Sequence, residues 1–340
     1  MFEQFYRLSG PPFQLSPDPS FFYGSRGHKR AYAYLKYGLY QGEGFIALTG
    51  EVGAGKTTLI RNLLQELDSH KVVAAQLVST QLDADGLLRA VATAFGLGVR
   101  DQDKARLIAQ LEAFLVAQVP KGKRALLIVD EAQNLAPEAV EELRMLSNFQ
   151  LKNRALLQSF LVGQPELRQL MRSPGMQQLR QRVIASYHLG PLDGDETRAY
   201  IEHRLSHVGW KNDPAFRDEA FGLVYAYTGG IPRRINTLCT RALLAAFLTE
   251  KHTIDAEDVE RVIGEFKEEF GEDAPAAESD KQAMRSLVNL DGADPEGSAP
   301  APLATPHEPH VAKLERRVVG VERAIAITIN LLRQMIQTHK

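Results

Sequence analysis

Two hydrophobic rhythms divide this chain. Up to about residue 192, short continuous apolar runs alternate with stretches whose apolar residues recur every three or four positions. Phe45–Thr49, Val72–Val78, Ala125–Val129 and Ser159–Gln164 are runs of strand length. A further one ends the segment from Leu179 to Leu189. Runs apolar at every position read as strands buried on both faces. Between them, Thr58–Leu64, residues 83–95, residues 104–118 and a segment beginning near Pro137 have helical spacing. Strands alternating with helices predict an α/β fold with a parallel sheet and helices on both faces.

From residue 193 to 270 the rhythm becomes helical. Helices open at Asp195-Glu196-Thr197, at Phe216, at Pro232 after Gly229-Gly230, and at Asp255, which reads as an N-cap. This second body is a helical lid on an α/β domain of residues 44–192. Ahead of both, residues 1–43 are dense in aromatics and prolines, from Phe2, Phe5 and Tyr6 to Phe21, Phe22 and Tyr23. Prolines disfavour a long helix there. The segment reads as irregular chain laid over the nucleotide domain, followed by a helix near residues 27–40. Its rings either seal the core or wall an apolar slot beside the first strand.

The last seventy residues change twice. Residues 271–310 hold six prolines and eight acids against two bases, the composition of a disordered linker. In residues 311–340, Val311, Leu314, Val318, Val321, Ile325, Thr328, Leu332 and Met335 trace a heptad seam. That predicts a coiled-coil-like helix. Six bases against two acids leave a surface-lying amphipathic helix as the competing reading.

Bulk composition narrows the classes only a little. The chain has 340 residues, 44% hydrophobic and 24% charged, with a net charge of −2. That balance creates no global field for nucleic acid or anionic lipid. No apolar run is long enough for a membrane-spanning helix, and the amino end lacks the layout of a signal peptide. A cytoplasmic location is the expectation, with peripheral contact at the inner membrane as an extension. A single cysteine, Cys239, reads as a small core residue, and His203, His207 and His252 lack metal-ligand spacing.

The chemistry concentrates behind the first strand. Gly50-Glu51-Val52-Gly53-Ala54-Gly55-Lys56-Thr57 spells G-x-x-x-x-G-K-T, with Thr58 opening the helix after it. Glycines let successive N–H groups turn inward around phosphate, Lys56 meets the β and γ phosphates, and the Thr57 hydroxyl binds the metal. The helix start adds its positive dipole end. At the end of the Ala125–Val129 run, Asp130 would hold Mg²⁺ and Glu131 would orient and deprotonate the attacking water. Alternatively, the two acids cap the helix near Pro137. Gln164 ends its strand either as a γ-phosphate sensor or as a turn residue. No Asn-Lys-x-Asp guanine motif and no Leu-Ser-Gly-Gly-Gln transporter signature occurs, which disfavours a GTPase switch and a transporter ATPase.

These segments together resemble the AAA+ ATPases, in particular the ExeA/GspA-like group. The resemblance rests on Pro12-Phe13 with Pro17-Asp18-Pro19, Gly50–Thr58, Val129-Asp130-Glu131-Ala132-Gln133, Val162–Leu167, Leu179-Arg180-Gln181-Arg182 and Gly229–Asn236. It implies a P-loop fold with a lid, ATP and Mg²⁺ as ligands, and a homo-oligomeric ring or arc with nucleotide between subunits. It implies that Gln164 is the first sensor, that Arg182 or Arg180 is the arginine finger reaching a neighbour's γ phosphate, and that Arg233 is the second sensor. Family members couple ATP hydrolysis to assembling secretion or pilus machinery, or to transposition. Secretion members carry a transmembrane helix and a cell-wall-binding region where this chain has a polar linker and a heptad tail. On that point it resembles relatives that accompany exopolysaccharide and exosortase (PEP-CTERM) gene clusters. The rival from another class is an ATP-gated, DNA-associated switch, with Arg180, Arg182, Arg233, Arg234 and Arg241 as candidate DNA contacts and no separate DNA-binding module after the lid.

Overall fold

A computed structural model describes residues 1–270, apart from residues 79, 80 and 101. The expected linker, 271–310, and heptad helix, 311–340, lie outside the described residues. The chain begins with α1 (Phe2–Phe5) and α2 (Arg26–Gln41), then β1 (Phe45–Gly50) and α3 (Lys56–Glu66). Next come β2 (Val72–Val78), α4 (Ala84–Ala94), α5 (Lys104–Gln118), β3 (Arg124–Asp130) and α6 (Pro137–Leu146). A hairpin, β4 (Gln150–Leu151) with β5 (Arg154–Ala155), leads into β6 (Leu157–Gly163), α7 (Glu166–Arg172), α8 (Gln177–Arg180) and β7 (Val183–Leu189). The lid is α9 (Gly194–His207), β8 (Ala215–Phe216), α10 (Asp218–Thr228), α11 (Pro232–Leu248), β9 (Thr253–Ile254) and α12 (Ala256–Phe270).

The main sheet has the order β2-β3-β6-β1-β7, and every pairing in it is parallel. The period-two alternation of a strand sorts its side chains between the two faces. Phe45, Ala47, Ala125, Leu127, Val129 and Leu161 pack under α4, α5 and α6. Ile46, Leu48, Leu126, Ile128, Phe160 and Val162 pack under α2 and α3. Helices therefore cover both faces, as the uninterrupted apolar runs require. Side-chain caps fix the helix starts: Ser25, Asp83, Asp103 and Asp193 each accept a backbone N–H from their first turn. Asp255 likewise accepts the N–H of Asp258 at 3.1 Å.

Three features depart from the sequence reading. The amino-terminal segment joins the lid core, with Tyr6, Leu8 and Phe13 buried among α9, α11 and α12. The lid is not wholly helical, because β8 pairs in parallel with β9. The β4–β5 hairpin was not anticipated. Its turn residues, Lys152 and Asn153, take positive φ of 48° and 62°, and two-residue strands carry no periodic signal. Among the described residues, no helix is long and apolar enough to cross a membrane.

Candidate phosphate-binding and hydrolysis site

Three neighbouring strands, β1, β6 and β3, end on the same edge of the sheet, where ligands bind in open parallel sheets. The glycine-rich loop leaves β1 and enters α3 with Gly53 at φ 84° and Gly55 at φ 97°. Both lie in the left-handed region, open at low cost only to glycine. Gly53 is also needed for space, because a Cβ there would come within 2.3 Å of the Arg233 Cβ. The lid thus rests directly on the loop, and the Arg233 N–H donates to the Gly53 carbonyl at 3.2 Å.

Lys56 points back into its own loop, donating from Nζ to the carbonyls of Gly50 at 2.7 Å and Glu51 at 3.0 Å. Burial lowers its pKa, while Glu131 and Asp130 pull it back. Thr57 Oγ1 donates to Asp130 Oδ2 at 3.0 Å, so the hydroxyl and the carboxylate share one spot. Burial raises the Asp130 pKa against the bonds from Thr57 and the Glu131 N–H. A hard-oxygen pair under a phosphate cradle suits a cation that keeps most of its shell as water and phosphate.

Glu131 stands at φ 53° and opens a short 3₁₀ turn, Ala132–Asn134. The helix at Pro137 has Ala136 at its cap with no side-chain bond. Asp130 and Glu131 are therefore not its cap, and the alternative reading is overturned. Gln164 Nε2 donates to Glu131 Oε2 at 3.1 Å, and Gln133 Nε2 donates to the same oxygen at 2.6 Å. Burial pushes the Glu131 carboxyl up, but the two amides and Lys56 outweigh it and hold the pKa below its ordinary value.

A cavity of about 370 Å³ opens over the loop. Gly53, Gly55, Lys56, Thr57, Thr58 and Glu131 form one side, and Tyr200, Arg204, Arg233 and Asn236 of the lid form another. Residues 14–18 and 21–23 form the third, so the amino-terminal segment walls the cavity as well as packing on the lid. That segment is strapped to both bodies. Buried Arg204 donates to the carbonyls of Pro12 at 2.7 Å and Gln14 at 2.9 Å, and Arg61 of α3 donates to the Pro17 carbonyl at 2.7 Å.

His28 closes the floor. Ser25 Oγ accepts the His28 N–H at 3.2 Å and lies 2.8 Å from Nδ1. The other ring nitrogen, Nε2, faces the loop at Ala54 and Gly55. Burial lowers the His28 pKa, partly offset by the Ala54 carbonyl.

The structure thus brings together Lys56, Thr57, Asp130, Glu131, Gln164 and Arg233. It sets Arg182 apart. Its carbonyl accepts the N–H of Phe45, the first residue of β1, whereas the phosphate loop follows the last. Six residues of strand separate the two ends by about 20 Å. Arg182 donates to Ser147 Oγ at 2.8 Å, and Arg180 holds the carbonyls of Met171 and Ser173. Arg241 pairs with Glu269 and lies over the Phe266 ring. Gln133 and Asn236 entered the sequence analysis only as members of quoted motifs, with no role of their own, and His28, Tyr200 and Arg204 were not singled out as site residues. Cys239 is fully buried, as its apolar surroundings suggested, and burial pushes its thiol up.

Sheet order, loop and paired acids define a P-loop nucleotide-binding protein of the AAA+ class. Residues 39–171 match the AAA domain family, and the parallel sheet with its loop has the AAA+ P-loop fold. It is similar to general secretion pathway protein A of Aeromonas hydrophila, 43% identical over 260 residues, which is 76% of this chain and 47% of that relative. The chain therefore spans about half the length of the curated relative it matches. Among solved structures, the fold is similar to the Aeropyrum pernix ORC2 protein (TM-score 0.57, 19% identity, 75% of this chain and 71% of that one). It is also similar to Cdc6p of Pyrobaculum aerophilum (TM-score 0.57, 16% identity, 75% and 70%). At such identities these likenesses concern the fold alone.

Proposed function

We propose that the protein is an ATP hydrolase dependent on Mg²⁺, acting as a homo-oligomer whose nucleotide cycle drives rearrangement of an envelope export or assembly system. One observation carries the hydrolytic part: Lys56, the Thr57–Asp130 pair and Glu131 converge on a single cavity at the end of the sheet. With ATP bound, Lys56 would exchange the Gly50 and Glu51 carbonyls for β- and γ-phosphate oxygens. Thr57 and Asp130 would hold the ion, which when bound supplies neutralisation of charge on those oxygens. Glu131 takes a proton from the attacking water as oxygen bonds to the γ phosphorus. The bond to the β–γ bridging oxygen breaks, leaving ADP and phosphate. Gln164 reads the γ phosphate through its contact with Glu131, and Arg233 reads it from the lid.

Arg182, too distant to serve its own chain's loop, is assigned to the neighbouring subunit's phosphate. The export role is supported by the similarity to general secretion pathway protein A. A cytoplasmic protein with peripheral contact at the inner membrane fits that role, and retrieval of envelope components with residues 311–340 as bait tests it. The hydrolytic reading is tested by phosphate release and labelled-nucleotide binding with ATP and GTP, comparing wild type with Glu131→Gln. The variant should retain ATP while releasing little phosphate. Wild-type turnover by the variant, or absence of ATP binding by the parent protein, would sink the assignment.

A further inference from the structure

The Gln133 side chain is the keystone of the acid end of the site. Its Oε1 accepts the backbone N–H of Gln164 at 2.9 Å, and its Nε2 donates to Glu131 Oε2 at 2.6 Å. The first bond fixes the amide's orientation. A backbone N–H can only donate, so the oxygen must face Gln164 and the nitrogen must face the carboxylate. The carboxylate thus meets a donor by necessity rather than by choice of amide flip. The strand end leaves room for this bridge, since a Cβ on Gly163 would come within 2.6 Å of Gln133 Oε1. Both amides reach the same carboxylate oxygen, Oε2, and among the described residues no hydrogen bond reaches Oε1. One oxygen is anchored and the other is left for a proton.

We propose that Gln133 is a positioning residue for hydrolysis, tying the Glu131 carboxylate to the end of β6 so that one oxygen is held and the other faces the cavity. The proposal rests on the reading of Glu131 as the base. Gln133 reaches Glu131 and the backbone of Gln164, so it acts through the base. Without it, Glu131 keeps only the longer bond from Gln164, at 3.1 Å, and its side chain regains rotational freedom.

The experiment uses the full chain and its variants Gln133→Leu, Gly163→Ala and Glu131→Gln, with Gln133→Leu also combined with Glu131→Gln. Binding of a fluorescent ATP analogue and kcat for ATP are measured for each. Gln133→Leu should bind the analogue within about twofold of wild type. Its kcat should fall about tenfold or more, the scale of lost general-base positioning. Gly163→Ala, which displaces the amide without altering it, should lower kcat at unchanged binding and serves if the leucine variant fails to fold. In the Glu131→Gln background, Gln133→Leu should lower the residual rate no further, because a residue that acts through the base has no effect once the base is gone. Wild-type kcat in both Gln133→Leu and Gly163→Ala, or a further loss of about tenfold in the double variant, overturns the positioning role. Full turnover by Glu131→Gln instead removes the base itself, and the parent reading fails with it.

Discussion

Lys56 supplies the cation that the loop was built to present, and among the described residues its hydrogen-bond partners are the Gly50 and Glu51 carbonyls. Lys56→Ala should therefore abolish detectable binding of labelled ATP while leaving the far-ultraviolet dichroism unchanged. Micromolar binding by that variant would contradict the assignment. His28 yields a prediction in pH. Its pKa is lowered by burial, so the folded protein holds fewer protons there than the unfolded chain once pH falls below about 6.5. Its contribution to stability is full above that value and is lost as pH drops through it. Urea midpoints should decline below about pH 6.5, and His28→Gln should flatten part of the decline. An identical slope in the variant would show that other groups carry the effect. At this scale the loop and the paired acids were legible in sequence because adjacent residues build them. The role of Gln133 was not, since its partner Gln164 lies 31 positions away.

Among the elements, strands and long helices were readable because buried parallel strands leave uninterrupted apolar runs and helices announce themselves by capping acids. The course of the amino-terminal segment was not readable. Its anchors span the chain, with Tyr6 donating to the Lys251 carbonyl and Arg204 to the Pro12 carbonyl. No local pattern encodes such pairings. Arg204 is a buried cation held by two carbonyls and lying over the Phe21 and Tyr200 rings. Hydrogen bonds to charged groups contribute about 1.5–3 kcal/mol, so Arg204→Ala should lower stability by about that much in urea titrations and weaken nucleotide binding. Arg204→Lys should recover little, because a point charge cannot reproduce the fork. Full recovery by lysine would mean that charge alone matters.

For the molecule as a whole, Arg182 sits at the end of β1 opposite the phosphate loop, and its proposed role on a neighbour would make catalysis depend on assembly. If the arginine acts on a neighbour, turnover per chain should rise with protein concentration. Arg182→Ala should then lose about 10³- to 10⁵-fold in kcat, the range for such arginines. Mixing Arg182→Ala with Glu131→Gln, each inert alone, should restore activity, because the second lends its arginine to the first. Mixtures as inert as their components would confine Arg182 to its bond with Ser147.

The strap of residues 12–18 carries a mechanical implication. The lid is joined to the sheet by the chain running from β7 into α9, and again through Arg204 and Arg61, which grip the same crossing segment from opposite sides. A body pinned along two edges can tilt but cannot swing free. Occupancy of the cleft should thus be reported as a small rocking of the lid, and in the proposed ring or arc such strokes would add in series.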